Sequence, residues 1–76
     1  MKELVEYIVK NLVIDENAVS VTETEDNDET VIHVTVAEED MGRVIGKGGK
    51  VASSIRSIVK SISAREGKKV FVKFGQ

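Results

Sequence analysis

The chain has 76 residues, no cysteine, one histidine and a formal net charge of −2. This length allows a single domain over residues 1–76 with a small hydrophobic core. The lack of cysteine excludes disulfides, and one histidine with scattered carboxylates is a poor metal ligand set, so we expect no metal and no cofactor. No segment resembles a signal peptide or a membrane span, which predicts a cytoplasmic protein without a membrane partner.

The charge is divided unevenly along the chain. Residues 1–42 hold twelve acidic and two basic side chains, a net charge of −10, whereas residues 43–76 hold nine basic and one acidic side chain, a net charge of +8. The two halves will partly neutralise each other within one fold. Because binding depends on the local field rather than on the mean charge, the acidic average does not exclude an anionic ligand for the second half.

The first half of the chain predicts a helix followed by a β-hairpin. Residues 2–12 carry apolar side chains at helical spacing. Residues 18–25 and residues 29–37 each alternate between two kinds of side chain, as expected for strands with one buried face. The sequence DND at 26–28 is a turn signal, and so short a connection makes the two strands antiparallel.

The second half predicts two helices and a strand, giving the order α-β-β-α-α-β and an α+β fold. Residues 38–46 open with three acids, which suit a solvated helix start, and end at Gly46. Residues 50–65 form a longer helix, and residues 68–74 form the last strand. Five apolar side chains of the longer helix are predicted to be buried: Val51, Ile55, Ile58, Val59 and Ile62.

The segment Gly46-Lys47-Gly48-Gly49 separates these two helices. A corner between helices needs only one or two glycines for its positive φ angles. Three glycines in four positions, with Arg43 before them and Lys50 after them, favour a close approach of the backbone to an anion. Without Cβ atoms a phosphate reaches the main-chain N–H groups, and the start of the following helix favours negative charge. The lysines add coulombic attraction.

The spacing of these glycines does not match the nucleotide-binding loops. The pattern G-x-x-x-x-G-K-[ST] requires Ser or Thr after the lysine, and neither Lys47 nor Lys50 is followed by one. The pattern G-x-G-x-x-G requires glycine where the chain has Val51, and it follows a strand, whereas this loop follows a helix. Both nucleotide-binding interpretations are therefore disfavoured.

Residues 44–58, VIGKGGKVASSIRSI, resemble the signature of KH domains, an I-G-x-x-G core between two helices. The element order resembles the type II, prokaryotic arrangement, which implies a mixed three-stranded sheet with three helices on one face. In length and order the whole chain is similar to the small bacterial single-KH RNA-binding proteins of the KhpA type. The resemblance implies non-catalytic binding of single-stranded RNA, as an RNA chaperone or post-transcriptional regulator.

The resemblance also implies which residues form the binding groove, because a KH loop clamps about four nucleotides. The RNA backbone would be held at Gly46, Lys47, Gly48 and Gly49. Its path would be flanked by Arg43, Lys50 and Arg56. The floor of the groove would be formed by Val44, Ile45 and an apolar residue of the second strand. The chain's three aromatic residues lie far from the loop in sequence, so base stacking is not expected. The residues leave RNA and single-stranded DNA as open alternatives.

Two other functions are alternatives to RNA binding. The first is a dimerising or adaptor KH domain that acts mainly through a protein partner. The resemblance implies a homodimer, or a heterodimer with a larger KH protein that carries a Jag domain, and the serines of the long helix would allow close approach. The second, a small hydrolase or nucleotide enzyme, is disfavoured because His33 lacks a catalytic partner in sequence; we expect a structural histidine at or near the surface.

Overall fold

The computed structural model describes residues 1–75, which fold into three α-helices and one three-stranded sheet. The elements in chain order are α1 (Lys2–Lys10), β1 (Ser20–Asp26), β2 (Glu29–Thr35), α2 (Met41–Ile45), α3 (Lys50–Arg65) and β3 (Lys69–Phe74). Short 3-10 turns lie at Glu16–Ala18, Glu38–Asp40 and Lys47–Gly49. The predicted order α-β-β-α-α-β and the α+β fold class are confirmed.

The hairpin forms with the predicted antiparallel pairing. Asp26 pairs with Glu29, so the turn consists of Asn27 and Asp28 alone, with φ angles of +49° and +67°. Positive φ at both central residues is typical of the type I′ turn, whose twist matches that of the strands. β2 lies at the centre of the sheet, between antiparallel β1 and parallel β3. The sheet is therefore mixed, as the resemblance implied.

The three helices pack on one face of this sheet, where a core of small branched side chains forms. The buried apolar residues of this core are Val5 and Val9 of α1, Val44 of α2, Val59 of α3, and Val21, Ile32, Val34, Val36 and Val72 of the sheet and its flank. Side chains alternate along a strand, so the intervening residues lie on the opposite side. We call that side the open face; it carries Thr22, Thr24, Val31, His33, Phe71 and Lys73.

The observed bounds differ from the predicted ones near the turns. The first helix ends at Lys10, because Asn11 closes it with a hydrogen bond from Nδ2 to the Tyr7 carbonyl at 2.7 Å. The first strand begins at Ser20 rather than at 18, since the residues before it form a 3-10 turn. The helix predicted over 38–46 consists of a 3-10 turn and the five residues of α2, a common start for a short helix.

The prediction of five buried side chains on α3 is confirmed only for Ile55 and Val59, because Val51 and Ile62 are half-buried and Ile58 is exposed. Ile58 is 46% exposed, whereas Ala52 and Ser63 are buried. The buried positions of α3, which also include Ile55 and Val59, follow a spacing of three, four and four residues, the narrow stripe that packs on the sheet. Ile58 lies about 100° around the helix from Val59, outside that stripe.

Candidate functional site

The glycine loop joins α2 to α3 through a backbone that only glycine adopts easily. Gly46, Gly48 and Gly49 have φ angles of +78°, +65° and +77°. A Cβ atom at Gly46 would lie 2.4 Å from Cγ2 of Val51 and 2.8 Å from its backbone nitrogen, so this glycine is required by packing. A Cβ atom at Gly48 or Gly49 would meet nothing within 4 Å. The space beside these two glycines is open.

The loop presents backbone donors toward this open space. The Gly46 N–H donates to the last turn of α2 at 2.9 Å, and the Gly49 N–H donates to the Gly46 carbonyl at 3.1 Å. Within residues 1–75, the N–H groups of Lys47 and Gly48 have no main-chain acceptor. α3 begins at Lys50 with neither a side-chain cap nor an acidic residue in its first turn. Unpaired N–H groups at a helix start attract anions.

Behind the loop, the carboxylate of Asp40 connects three parts of the chain. Its Oδ1 accepts the Ile14 N–H at 3.1 Å, and its Oδ2 accepts the Asp15 N–H at 3.0 Å. Oδ1 also accepts a hydrogen bond from Nη1 of Arg43 at 3.2 Å. The side chain is 0% exposed, so the prediction of a solvated acid at this position is wrong.

The hydrogen bonds to Asp40 stabilise its charged form. The N–H groups of Asp15 and Ile14 lower the pKa of this carboxyl below its ordinary value, with a smaller contribution from the Arg43 guanidinium, while burial opposes the shift. Arg43 is held in turn: its Nη1 also donates to the Glu39 carbonyl at 3.1 Å, and its side chain remains 46% exposed. The predicted site residue Arg43 is thus oriented at the base of the loop by a residue that sequence reasoning missed.

Arg56 lies further along α3 and faces β3, an edge strand of the sheet. Its Nε donates to the Val72 carbonyl at 3.1 Å, and its guanidinium carbon lies 5.4 Å from the centroid of the Phe74 ring. A groove of about 470 Å³ opens here between α3 and β3. Its lining includes Arg56, Lys60, Lys68, Lys69, Val70 and Phe71.

Helix geometry connects this groove to the glycine loop. Positions 53, 56 and 60, together with position 49 at the N-cap, lie within about 60° of one another around α3, and therefore form one stripe along the helix. Arg56 is six residues beyond Lys50, about 9 Å along the axis. The loop, the stripe and the groove follow one side of the molecule. Lys60 and Lys68 are not among the predicted site residues. For Lys60 the sequence does contain a signal, because it lies four residues after Arg56 and therefore on the same face of the helix.

The residues predicted to floor the groove differ in their burial. Val44 is 0% exposed and packs in the core, and Ile45 is only partly buried against that core. Ile32, Val34 and Val36, the apolar face of the second strand, are buried beneath the helices. The apolar side chains that line the groove between α3 and β3 come from β3: Val70, Phe71 and Val72.

The described residues meet the requirements of neither a membrane-spanning helix nor a metal site, and their one histidine is exposed. No α-helix within residues 1–75 has the length and apolar character needed to cross a membrane. No group of three or more His, Asp or Glu side chains in this range could hold a metal ion. His33 is exposed on the open face, where it pairs with Thr22 and Lys73 across the strands, so its predicted surface position is confirmed.

The mixed sheet, the three helices on one face and the glycine loop between the last two helices define a KH domain of type II. A family model described as the KH domain of KhpA and KhpB matches residues 2–74, and the chain belongs to this family. The chain is 46% identical over 72 residues to the RNA-binding protein KhpA of Clostridium perfringens, covering 95% of this chain and 96% of the relative. The KhpA protein of Caldanaerobacter subterraneus is 46% identical, over 95% of this chain and 96% of the relative. The KhpA protein of Chlamydia trachomatis is 39% identical, over 92% of this chain and 90% of the relative.

These similarities confirm the predicted resemblance to small bacterial KH proteins. The names of the relatives describe RNA binding and no reaction, in agreement with the prediction of a non-catalytic protein.

Proposed function

We propose that the chain acts as a single KH domain that binds single-stranded RNA through the loop Gly46–Gly49. The observation that carries this proposal is the open backbone at Gly48 and Gly49, directly before the uncapped start of α3. A phosphate there meets unpaired N–H groups with no Cβ atom in its way. RNA binding is also what the names of the relatives state.

Basic side chains extend the contact along one side of the molecule. Lys47 and Lys50 are exposed beside the loop and supply mobile charges that follow a phosphate backbone. Arg43 supplies a fixed charge, because Asp40 and the Glu39 carbonyl hold its guanidinium. We propose that phosphates are bound at these positions and that the RNA then follows the α3 stripe.

Bases then enter the groove between α3 and β3. Its apolar wall, Val70 and Val72, suits a base, and its basic wall, Arg56 and Lys60, suits the neighbouring phosphates. Contacts made mainly to the RNA backbone carry little sequence information. We therefore propose a broad RNA specificity, as suits a cytoplasmic RNA chaperone or post-transcriptional regulator.

The experiment that tests the loop is an RNA titration of the double variant Lys47→Asp with Gly48→Asp. Two acids in the loop repel phosphate, so we expect loss of RNA binding with the fold retained. The matched control is Lys2→Asp with Gly67→Asp. It changes the net charge equally, and Gly67, like Gly48, has a positive φ of +69° and open space at its Cβ position. Equal affinity of the two double variants would refute the clamp.

Titration with DNA of the same sequence tests the choice of nucleic acid. No described side chain of the loop is suited only to a 2′-hydroxyl, so we expect both RNA and DNA to bind, with only a modest preference for RNA. Amide NMR shifts should cluster in residues 42–56 and in β3. Shifts confined to other elements would refute the proposed path.

A second candidate function, pairing with another protein, is favoured by Ile58. This side chain is 46% exposed on α3, and the neighbouring Ser54, Ser57 and Ser61 are also exposed, so a second helix could approach closely. The partner would be a second copy of the chain or a larger KH protein that carries a Jag domain. Light scattering at several protein concentrations tests self-pairing. We expect Ile58→Lys to shift any dimer to monomer, and a wild-type chain that stays monomeric would exclude the homodimer.

A further inference from the structure

Phe71 is an aromatic side chain left uncovered on the open face of the sheet. It is 49% exposed, although it sits within a strand whose neighbour Val72 is buried. Strand alternation places Lys73 on the same side of β3. In the parallel register Phe71 pairs with Val31, and Lys73 pairs with His33. We call these four adjacent residues the Phe71 platform.

The charge around the platform is positive at one end only. The row formed by Thr22, His33 and Lys73 contains no acid. The row at the hairpin end contains Asp26, Glu29 and Lys69, so two acids oppose one base there. A phosphate is therefore favoured beside Lys73, and the flat ring of Phe71 lies one row away from it, two residues along the strand.

We propose that the Phe71 platform is a second contact surface for single-stranded RNA, at which a base stacks on Phe71 and a phosphate lies against Lys73. Exposed aromatic rings on a sheet, with basic residues beside them, bind single-stranded nucleic acid because every base has a stacking face. The imidazole of His33 is a further stacking surface in the adjacent row. This inference rests on the proposed function, since the occupant is the RNA strand held by the glycine loop.

The groove leads to the platform. Phe71 and Lys69 belong to the wall of the groove between α3 and β3, and their side chains lie on the open side of that same edge strand. An RNA strand that leaves the groove crosses the β3 edge and reaches Phe71 directly. Four nucleotides occupy a KH groove, so the platform binds nucleotides beyond those four.

The size and charge of the platform favour RNA over a protein partner. Half of a phenylalanine side chain is about 100 Å² of apolar surface, whereas a stable protein interface buries about 800 Å² on each partner. A single base needs only one ring. The segment from residue 68 to residue 74 holds three lysines, Lys68, Lys69 and Lys73, and no acid, which suits a polyanion.

The test compares RNAs of two lengths on variants of Phe71 and Lys73. One RNA has about four nucleotides, the length that a KH loop clamps, and the other has about ten, within the range of longer single-strand sites. For Phe71→Ala we expect the affinity for the longer RNA to fall by about 5- to 150-fold, the range for loss of one stacked base. Because Phe71 also lines the groove, the comparison of lengths is made on Lys73→Ala, since Lys73 is not part of the groove lining. Its affinity for the longer RNA should fall, while its affinity for the shorter RNA stays within about twofold of wild type. Phe71→Tyr should retain both affinities, since it keeps the ring.

The outcomes separate this inference from the proposed function. An unchanged affinity of Phe71→Ala for the longer RNA would overturn the platform, and so would an equal loss for both lengths in Lys73→Ala. Loss of both affinities in the variant Lys47→Asp with Gly48→Asp supports the loop, whatever Phe71→Ala does. Amide shifts at residues 31 and 33 of β2 provide a second readout on the wild-type protein. They should move with the longer RNA alone, and shifts that follow protein concentration without RNA would assign the surface to self-association.

Discussion

Replacing Gly46 by alanine would add a Cβ atom at a position where the chain has no room for one. The backbone there has φ +78° and ψ 170°, a region that is essentially restricted to glycine and costs another residue about 1–3 kcal/mol. The new Cβ would lie 2.4 Å from Cγ2 of Val51 and 2.8 Å from its nitrogen. Relieving such an overlap in a packed site costs a further 1–3 kcal/mol or so.

The expected loss for Gly46→Ala is thus about 2–6 kcal/mol. A chain of this length has a total free energy of unfolding of about 4–11 kcal/mol. Even the lower limit corresponds to a fall in melting temperature of roughly 8–16 °C. Urea and thermal unfolding, followed by far-UV circular dichroism, measure this loss of unfolding free energy and the fall in melting temperature directly.

Two matched variants separate the overlap from the cost of positive φ. Gly48→Ala and Gly67→Ala place alanine at φ +65° and +69° with nothing within 4 Å of the Cβ atom, so each should lose only about 1–2 kcal/mol. Adding Val51→Ala to Gly46→Ala removes the Cγ2 overlap but not the contact with the backbone nitrogen, so we expect partial recovery. A loss for Gly46→Ala no greater than that for Gly67→Ala would refute the packing role of Gly46.

Three further predictions concern charge. RNA affinity should fall with salt with a log–log slope of about −1.4 to −2.8, the value for two to four phosphates neutralised on a single strand; a slope near zero in a salt titration would remove the electrostatic basis of the site. Because the folded pKa of Asp40 is lowered, its stabilising effect is complete above its ordinary pKa of 3.8 and is lost as the pH falls from there through the folded pKa. Asp40→Asn should therefore lower the urea midpoint at neutral pH and weaken its decline in acid, and identical pH profiles for both proteins would contradict this role. Arg56→Lys keeps the charge but loses the guanidinium contacts with Val72 and Phe74, so we expect a loss of about 1 kcal/mol in thermal unfolding with an unchanged salt slope; a change in that slope would show that the planar group binds phosphate.

The order of the elements could be predicted because it depends on short-range patterns. Alternation along residues 29–37 identified a strand with Ile32 and Val34 on its buried face, and this period follows from the pleat of any strand. The acidic turn at 26–28 and the glycines at 46–49 marked the two sharpest changes of direction, since both need positive φ angles. The resemblance to KH domains depends on the glycines at 46–49.

The tertiary structure alone decided which charges and which apolar side chains are buried. Asp40 is buried because its acceptor atoms meet N–H groups 25 and 26 residues earlier in the chain, a contact that no local pattern indicates. Ile58 is exposed because α3 packs on the sheet with a narrow stripe and no other element within residues 1–75 covers its side.

The position of the groove also depended on long-range pairing. β3 joins the sheet in parallel beside β2, and that register brings Phe71 next to Val31 and turns the strand's outer edge toward Arg56. By itself the sequence determined the helices, the strands and the glycine loop, because periodicity and turn chemistry act over a few residues. The pairing of distant segments decided where the basic helix meets the sheet edge, since those contacts exist only after the chain has folded.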